Sequence, residues 1–206
     1  RYVIDASMLT KIKVYFNNEL IPVKNLNQYA QLYSSPTDEK LYIKTPTCEC
    51  LITPSPNYQF ISFVNGVYTR LGGQHVDSWS ESIFRPIVDK FNGKDKKNKV
   101  KNPKIKINDV KQFFRIYIVC TVIRPEFDGQ DKNRLESPVV ESVIKQSHVN
   151  TICKWSVMES IEDIIRSKEM LALKKTEKGK KKHVKIDGLD SANNANTKYS
   201  RDCTLF

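Results

Sequence analysis

Gln130 and Lys132 stand one residue apart in Gly129-Gln-Asp-Lys-Asn-Arg134, just after an apolar stretch, 113–123, and Arg124-Pro125-Glu126-Phe127. A side-chain amide and an ammonium at that spacing can meet one phosphate together. The amide is a neutral donor and the ammonium a mobile point charge. On a loop leaving a buried strand, the lysine can offset charge on a terminal phosphoryl group while the glutamine fixes its geometry. The residues alone leave a second reading open, in which both are ordinary solvated side chains. Gly72-Gly73-Gln74-His75, ahead of an amphipathic stretch, allows an anion at a helix N-terminus. It equally allows a structural turn at Gly72 and Gly73 that packs the helix on its strand. Neither a dinucleotide fingerprint nor a phosphate loop is present. His75 has no acid–base partner in view and is expected to pack.

The 206 residues carry a formal charge of +11, which argues for a polyanionic partner, the alternative being a solvated surface tuned for solubility. That charge is segregated. Lys94 to Lys106 holds seven lysines against Asp95, and Arg166 to Lys185 nine basic residues against Glu169 and Glu177. The first tract has no aromatic residue between its lysines, so a stacking platform for single strands is not indicated. Lys94, Lys96, Lys97, Lys99, Lys101 and Lys104 fit contact with a phosphate backbone without reading bases.

Cys48, Cys50, Cys120, Cys153 and Cys203 show neither zinc-ligand spacing nor a disulfide framework, so a reducing, intracellular setting is expected. His75, His148 and His183 lack ligand spacing, and no metal site is expected. No apolar run approaches the ~18 residues of a membrane helix. No Cys/His, Ser/His or clustered carboxylate arrangement forms a complete catalytic set, which argues against a metabolic enzyme. The chain opens without Met and stops at Thr204-Leu205-Phe206, as a piece of a longer protein would.

These residues need elements to hold them. Lys11 to Val23 reads as a hairpin turning at Asn17-Asn18, Asn25 to Tyr33 as a short helix, and 34–38 as a loop. Strands follow at 41–45, 48–53 and 59–67, with a firm break at Leu71-Gly72-Gly73. A helix is expected from Asp77 or Ser78, with Ser78 and Glu81 at capping-box spacing and Pro86 kinking it or moving its start. Asn92 to Lys104 reads as a loop, 108–111 as a short helix, and 113–123 as a central strand. Ser137 and Pro138 signal another helix start, and 151–173 a longer helix. Lys174 to Lys182 is basic, 187–196 a structured loop or short helix, and 199–206 a strand. The order implies an α/β layer, a mixed sheet covered on one side.

The run Ile61-Ser-Phe-Val-Asn-Gly-Val-Tyr-Thr-Arg-Leu-Gly-Gly-Gln-His-Val-Asp77 resembles type IIA DNA topoisomerases of the eukaryotic and large-DNA-virus kind. The likeness continues through the lysine tract, Gln130-Asp131-Lys132, Ala172-Leu-Lys-Lys175 and 185–195 to Cys203-Thr-Leu-Phe206. It implies the C-terminal part of a GHKL-type ATPase domain over 1–50, with the boundary somewhere in 41–59. A ribosomal-protein-S5-like transducer domain follows over 51–196, with a lysine-rich loop at 92–106, and the start of a Toprim domain over 197–206. By the same resemblance Gln130 and Lys132 sense the ATP γ-phosphate held by the preceding domain, and the lysines face double-stranded DNA. The longer protein would be a homodimeric, ATP- and Mg2+-using isomerase, in a viral factory of the host cytoplasm if viral and in the nucleus if cellular. This stretch alone would bind no cofactor, would be inactive and would have no membrane contact. Its own ATPase and Toprim domains would be its neighbours. Asp131 stands where the family usually has threonine, and its carboxylate is expected to point away from the nucleotide. Gln74 also replaces the usual threonine. The competing reading is a stand-alone nucleic-acid-binding α/β module without nucleotide sensing.

Overall fold

The computed structural model describes residues 1–10, 12–33, 39–94 and 105–179. Expectations for 34–38, 95–104 and 180–206 therefore lie outside the described residues. Arg1–Glu169 form one compact unit and Met170–Phe206 a second. Of the second, the last helical turns are described, with Met170, Leu171 and Leu173 exposed.

Strand β8 (Phe114–Cys120) is central, as its near-continuous apolar run requires. It pairs antiparallel with β4 (Cys48–Pro54) and parallel with β5 (Gln59–Val64). The hairpin partner β3 (Leu41–Lys44) and the short β6 (Val67–Tyr68) close the two edges of this mixed five-stranded sheet. Alternation then sorts side chains into two cores. Ile116 and Ile118, with Cys48, Cys50 and Ile52, face α3 (Gln74–Lys94), α4 (Ile107–Lys111), α5 (Gln146–Ile152) and α6 (Val157–Gly179). Tyr117, Leu51, Ile61 and Phe63 face Met8 of α1 (Tyr2–Thr10) and Leu26, Tyr29 and Ala30 of α2 (Leu26–Ala30). The four later helices share one face, and the other is covered from the N-terminal segment. The Tyr29 hydroxyl donates to the Asp5 carboxylate at 2.6 Å, tying α2 to α1.

Cys48 and Cys120 are register partners and form a disulfide, with Cα atoms 4.2 Å apart. Cysteine spacing alone shows no such framework. Residues separated by 72 positions become neighbours only through strand pairing.

The expected hairpin shortens to β1 (Tyr15–Phe16) and β2 (Glu19–Leu20), with Asn17 and Asn18 at φ 49° and 66°. A second tight turn divides the strand expected over 59–67. Asn65 and Gly66, at φ 50° and 80°, reverse the chain so that β6 folds back on β5. The Asn65 side chain accepts from Val122 N–H and donates to Val122 C=O, both at 2.8 Å, and this fixes the turn against the end of β8.

Helix α3 starts at Gln74, not at Ser78, and continues through Pro86. Glu81 pairs with Arg85 one turn on and does not cap Ser78. A proline inside a helix costs about 3 kcal/mol. Burying Trp79, Ile83, Phe84, Ile87 and Val88 contributes about 1.5–3 kcal/mol for each side chain, so packing prevails.

The helix expected from Ser137 and Pro138 is absent. Arg134–Ser137 forms strand β10, and the following residues run without helix until Gln146. There the Ser142 hydroxyl donates to Ser78 C=O of α3 at 3.0 Å. The helix expected over 151–173 is interrupted between Ile152 and Val157, where Trp155 turns inward against Phe114. Glu39 then caps α6, accepting from Ser156 N–H at 2.7 Å and from its hydroxyl at 2.9 Å. An acid there also complements the helix dipole.

A polar chain crosses the core beside α3. Thr69 N–H donates to Ser62 C=O at 2.9 Å, and the two hydroxyl oxygens lie 2.6 Å apart. His75 Nε2 lies 3.1 Å from Thr69 Oγ1, and Nδ1 has no hydrogen-bond partner. The Thr69 hydroxyl also reaches Ser62 C=O at 3.1 Å. A proton spent there leaves the Thr69 oxygen to accept from an Nε2–H tautomer. Burial lowers the His75 pKa from 6.5 to about 4, so the ring is neutral near pH 7.

Two measurements test this architecture. Ile116→Ala is expected to lower unfolding free energy by about 2–5 kcal/mol in urea titration, because it empties the centre of the sheet. Below pH 6.5 the unfolded state takes up a proton at His75 that the folded state refuses until about pH 4. Stability from this residue is therefore present above pH 6.5 and is lost as pH falls towards 4. Relative to His75→Gln, the wild type should lose roughly 2–3 kcal/mol more between pH 7 and pH 4.5.

Candidate nucleotide-sensing loop

Beyond β8 the chain forms a second, small sheet. Strand β9 (Glu126–Phe127) pairs antiparallel with β10, and β10 pairs parallel with β7 (Gly72–Gly73). Gln130 and Lys132 sit on the loop joining β9 to β10, and both are exposed. Asp128 closes the loop's base. Its N–H donates to Arg134 C=O, and its carboxylate accepts from Arg134 N–H, each at 3.1 Å. At the tip, Lys132 N–H donates to Gly129 C=O at 3.1 Å, and Lys132 adopts φ 54°. That left-handed conformation is uncommon for a residue with a Cβ. The turn thus sets the direction in which the lysine leaves the backbone. Asp131 accepts from the Asn133 side chain, so its carboxylate is engaged within the loop.

The glycines expected to make a structural turn form β7 itself. Gly72 and Gly73 are buried and pair with Arg134 and Leu135, while Leu71 N–H donates to Asn133 C=O at 2.9 Å. Here φ is +71° and +118°, and a Cβ at Gly73 would lie 2.1 Å from Leu135 O. Only glycine lets the two backbones approach this closely. With β10 laid along this segment, the open anion cradle considered from sequence gives way to backbone packing. Gln74 is the exposed first residue of α3.

Lys94 is the last residue of α3. Lys96, Lys97, Lys99, Lys101 and Lys104 lie outside the described residues. The neck of that tract is closed by Asn92, whose side chain accepts from Ile105 N–H at 3.0 Å and donates to Ile105 C=O at 3.2 Å. Asp109 accepts from Lys106 N–H at 2.8 Å and from the Lys168 ammonium of α6 at 2.6 Å, which together hold its pKa below the usual carboxylate value. Asp128, Asn133 and Leu135 shape the loop without belonging to any of the motifs read from the sequence. Asp128-Gly129 marks a turn, but the docking of Leu135 on Gly73 spans 62 positions and leaves no local signal.

Two concavities are described. One lies between α1 and the β3–β4 turn, the other around Tyr58, Tyr68 and Arg70, and neither includes Gln130 or Lys132. Gln130 and Lys132, both exposed, offer two donors on open surface, and a phosphate gripped there needs a second wall. Among the described residues no three His, Cys, Asp or Glu side chains converge to hold a metal ion. No helix among them is long and apolar enough to cross a membrane.

The DNA gyrase B family profile matches residues 22–186, more than half of the chain. The chain is 32% identical to DNA topoisomerase 2 of Invertebrate iridescent virus 6, covering 100% of this chain and 19% of that protein. It is 30% identical to mouse DNA topoisomerase 2-alpha over 98% of this chain and 14% of that protein. It thus spans less than a fifth of the length of these relatives. The fold superimposes on the ATPase region of Saccharomyces cerevisiae topoisomerase II with TM-score 0.69 and 26% identity, over 80% of this chain and 43% of that one. The ATPase and transducer domains of DNA topoisomerase II from Balamuthia mandrillaris share the fold at TM-score 0.69 and 21% identity, over 84% of this chain and 44% of that one. The fold is therefore a mixed α/β one with a GHKL-like ATPase region followed by a transducer-like domain, and the chain belongs to the DNA gyrase B family, as an ATPase/transducer segment of the type IIA DNA topoisomerases.

Proposed function

We propose that this segment senses the ATP γ-phosphate through Gln130 and Lys132 and couples nucleotide state to closure of a dimeric gate around double-stranded DNA. The observation that carries the reading is the Lys132 turn: an exposed ammonium whose backbone is fixed by the Gly129 bond and by strands on both sides. A mobile ammonium tethered to a fixed backbone on open surface is suited to detect a phosphate presented by a neighbouring domain. The charge-assisted contact is worth about 1.5–3 kcal/mol, and breaking it on phosphate release shifts a two-state gate roughly ten- to hundredfold. In this reading Gln130 and Lys132 sense the γ-phosphate and take no part in water attack on the γ-phosphorus or in the departure of ADP.

In this reading residues 1–50 close the ATPase domain, 51–196 form the transducer and 197–206 open the Toprim domain. Cys50 lies inside β4, so the first boundary crosses a strand of the sheet. The full protein is read as a homodimeric, Mg2+-dependent isomerase. A large-DNA-virus source is one reading of the likeness to an iridovirus topoisomerase, which spans all of this chain. Lys94, Lys96, Lys97, Lys99, Lys101 and Lys104 are read as the DNA-backbone contacts. The segment's charge of +11 supports that assignment.

In the full-length protein, Lys132→Ala is expected to weaken ATP-driven gate closure and ATP turnover roughly ten- to hundredfold, while metal-dependent DNA cleavage is spared. Intersubunit crosslinking with and without nucleotide measures closure, and unchanged closure and turnover exclude the role. Replacing Lys96, Lys97 and Lys99 together with Ala should lower DNA-stimulated ATP turnover. It should also reduce the slope of log affinity against log salt by roughly 3. An unaltered slope excludes this tract from the DNA interface.

A further inference from the structure

The loop that carries Lys132 has a traceable attachment to the main sheet. Strands β9 and β10 share their small sheet with β7 alone, and β7 is two glycines long. Those glycines are held by a staple. Thr69 C=O accepts from Gly72 N–H at 3.1 Å, and the Thr69 hydroxyl oxygen meets His75 Nε2 at 3.1 Å, so bonds close the chain on both sides of β7. Ser62, at the middle of β5, anchors Thr69 through its carbonyl and hydroxyl groups. Ser62, Thr69 and His75 are each fully buried, and no described neighbour uses His75 Nδ1. The network is therefore private to this connection.

We propose that Gly73 and the Ser62–Thr69–His75 staple are the positioning residues of the Gln130–Lys132 loop, holding β10 at the one distance from which Lys132 reaches its phosphate. The path is backbone almost throughout: Ser62 to Thr69, Gly72–Gly73 to Arg134–Leu135, and Asn133 to Lys132, with Leu71 N–H on Asn133 C=O as a second tie. A methyl group at residue 73 would sit 2.1 Å from Leu135 O, and contacts under 3.0 Å force a shift. Strand β10 must then retreat by about 1 Å, a displacement that costs up to about a hundredfold when it misplaces a reacting or sensing group. Thr69→Val keeps the side chain's shape, removes the acceptor for His75 and the donor to Ser62, and loosens the same segment from its other side.

The proposal rests on Lys132 as the sensor, and the experiment separates the two. In the full-length protein, closure driven by a β,γ-imido ATP analogue is measured by intersubunit crosslinking for Gly73→Ala, Thr69→Val, Lys132→Ala and each pair with Lys132→Ala. Retained metal-dependent DNA cleavage together with an unchanged cooperative melting transition of this segment reports that each variant is folded. Gly73→Ala and Thr69→Val should each lower analogue-driven closure at least about tenfold while cleavage is retained. Neither should lower it further once Lys132 is alanine, because both act through that side chain. Wild-type closure in folded Gly73→Ala or Thr69→Val, or full additivity with Lys132→Ala, overturns the positioning role. If Gly73→Ala loses cleavage, the Thr69→Val pair decides by the same criteria. Normal closure in Lys132→Ala defeats the sensing reading itself, and the positioning role with it.

Discussion

Strand β8 is the constraint on which everything else hangs. Its backbone is satisfied on both edges, by β4 and by β5, and its side chains are buried towards helices on both faces. A strand so enclosed has a single tolerable register, because a slip of one residue would exchange the two cores. Fixing β8 fixes the start of the β9–β10 excursion that follows it. The Asn65 side chain repeats the arrangement at the exit, pairing with Val122 as a strand would and tying the β5–β6 turn to the same point.

From there a single rigid element reaches the other basic feature of the chain. Helix α3 begins immediately after the glycine pair that docks β10 and ends at Lys94, where the lysine tract begins. Its 21 residues span about 30 Å at 1.5 Å each. One end is pinned by His75 and Thr69, the other by Asn92 and Ile105. Five buried side chains carry the helix across Pro86 and hold its middle to the sheet. Displacement at either end is therefore resisted by the core and not dissipated in a loop.

The misreadings share one cause. Ser78 with Glu81, and Ser137 with Pro138, are sound local helix-start signals. Each was overruled by a pairing with a distant strand: β10 docks on β7, from which α3 starts four residues early, and β7 and β9 take Arg134–Ser137 into a sheet. The break between α5 and α6 likewise follows from Trp155 packing on Phe114 and from Glu39 capping Ser156, partners far away in sequence.

What the amino-acid order determined by itself was periodicity, turn chemistry and charge. It specified the two-sided apolar run of β8, the Asn17-Asn18 reversal, the buried stripe of α3, the segregated lysines and the Gln130-x-Lys132 pair. Each of these depends on neighbours within a few positions. Tertiary structure alone decided that Gly73 meets Leu135, that Thr69 and His75 brace the glycines between them, and that Cys48 faces Cys120. The first and the last join residues that only strand pairing brings together, while the Thr69–His75 bond spans six positions and needs the sheet and α3 to bury it, so no local pattern encodes them.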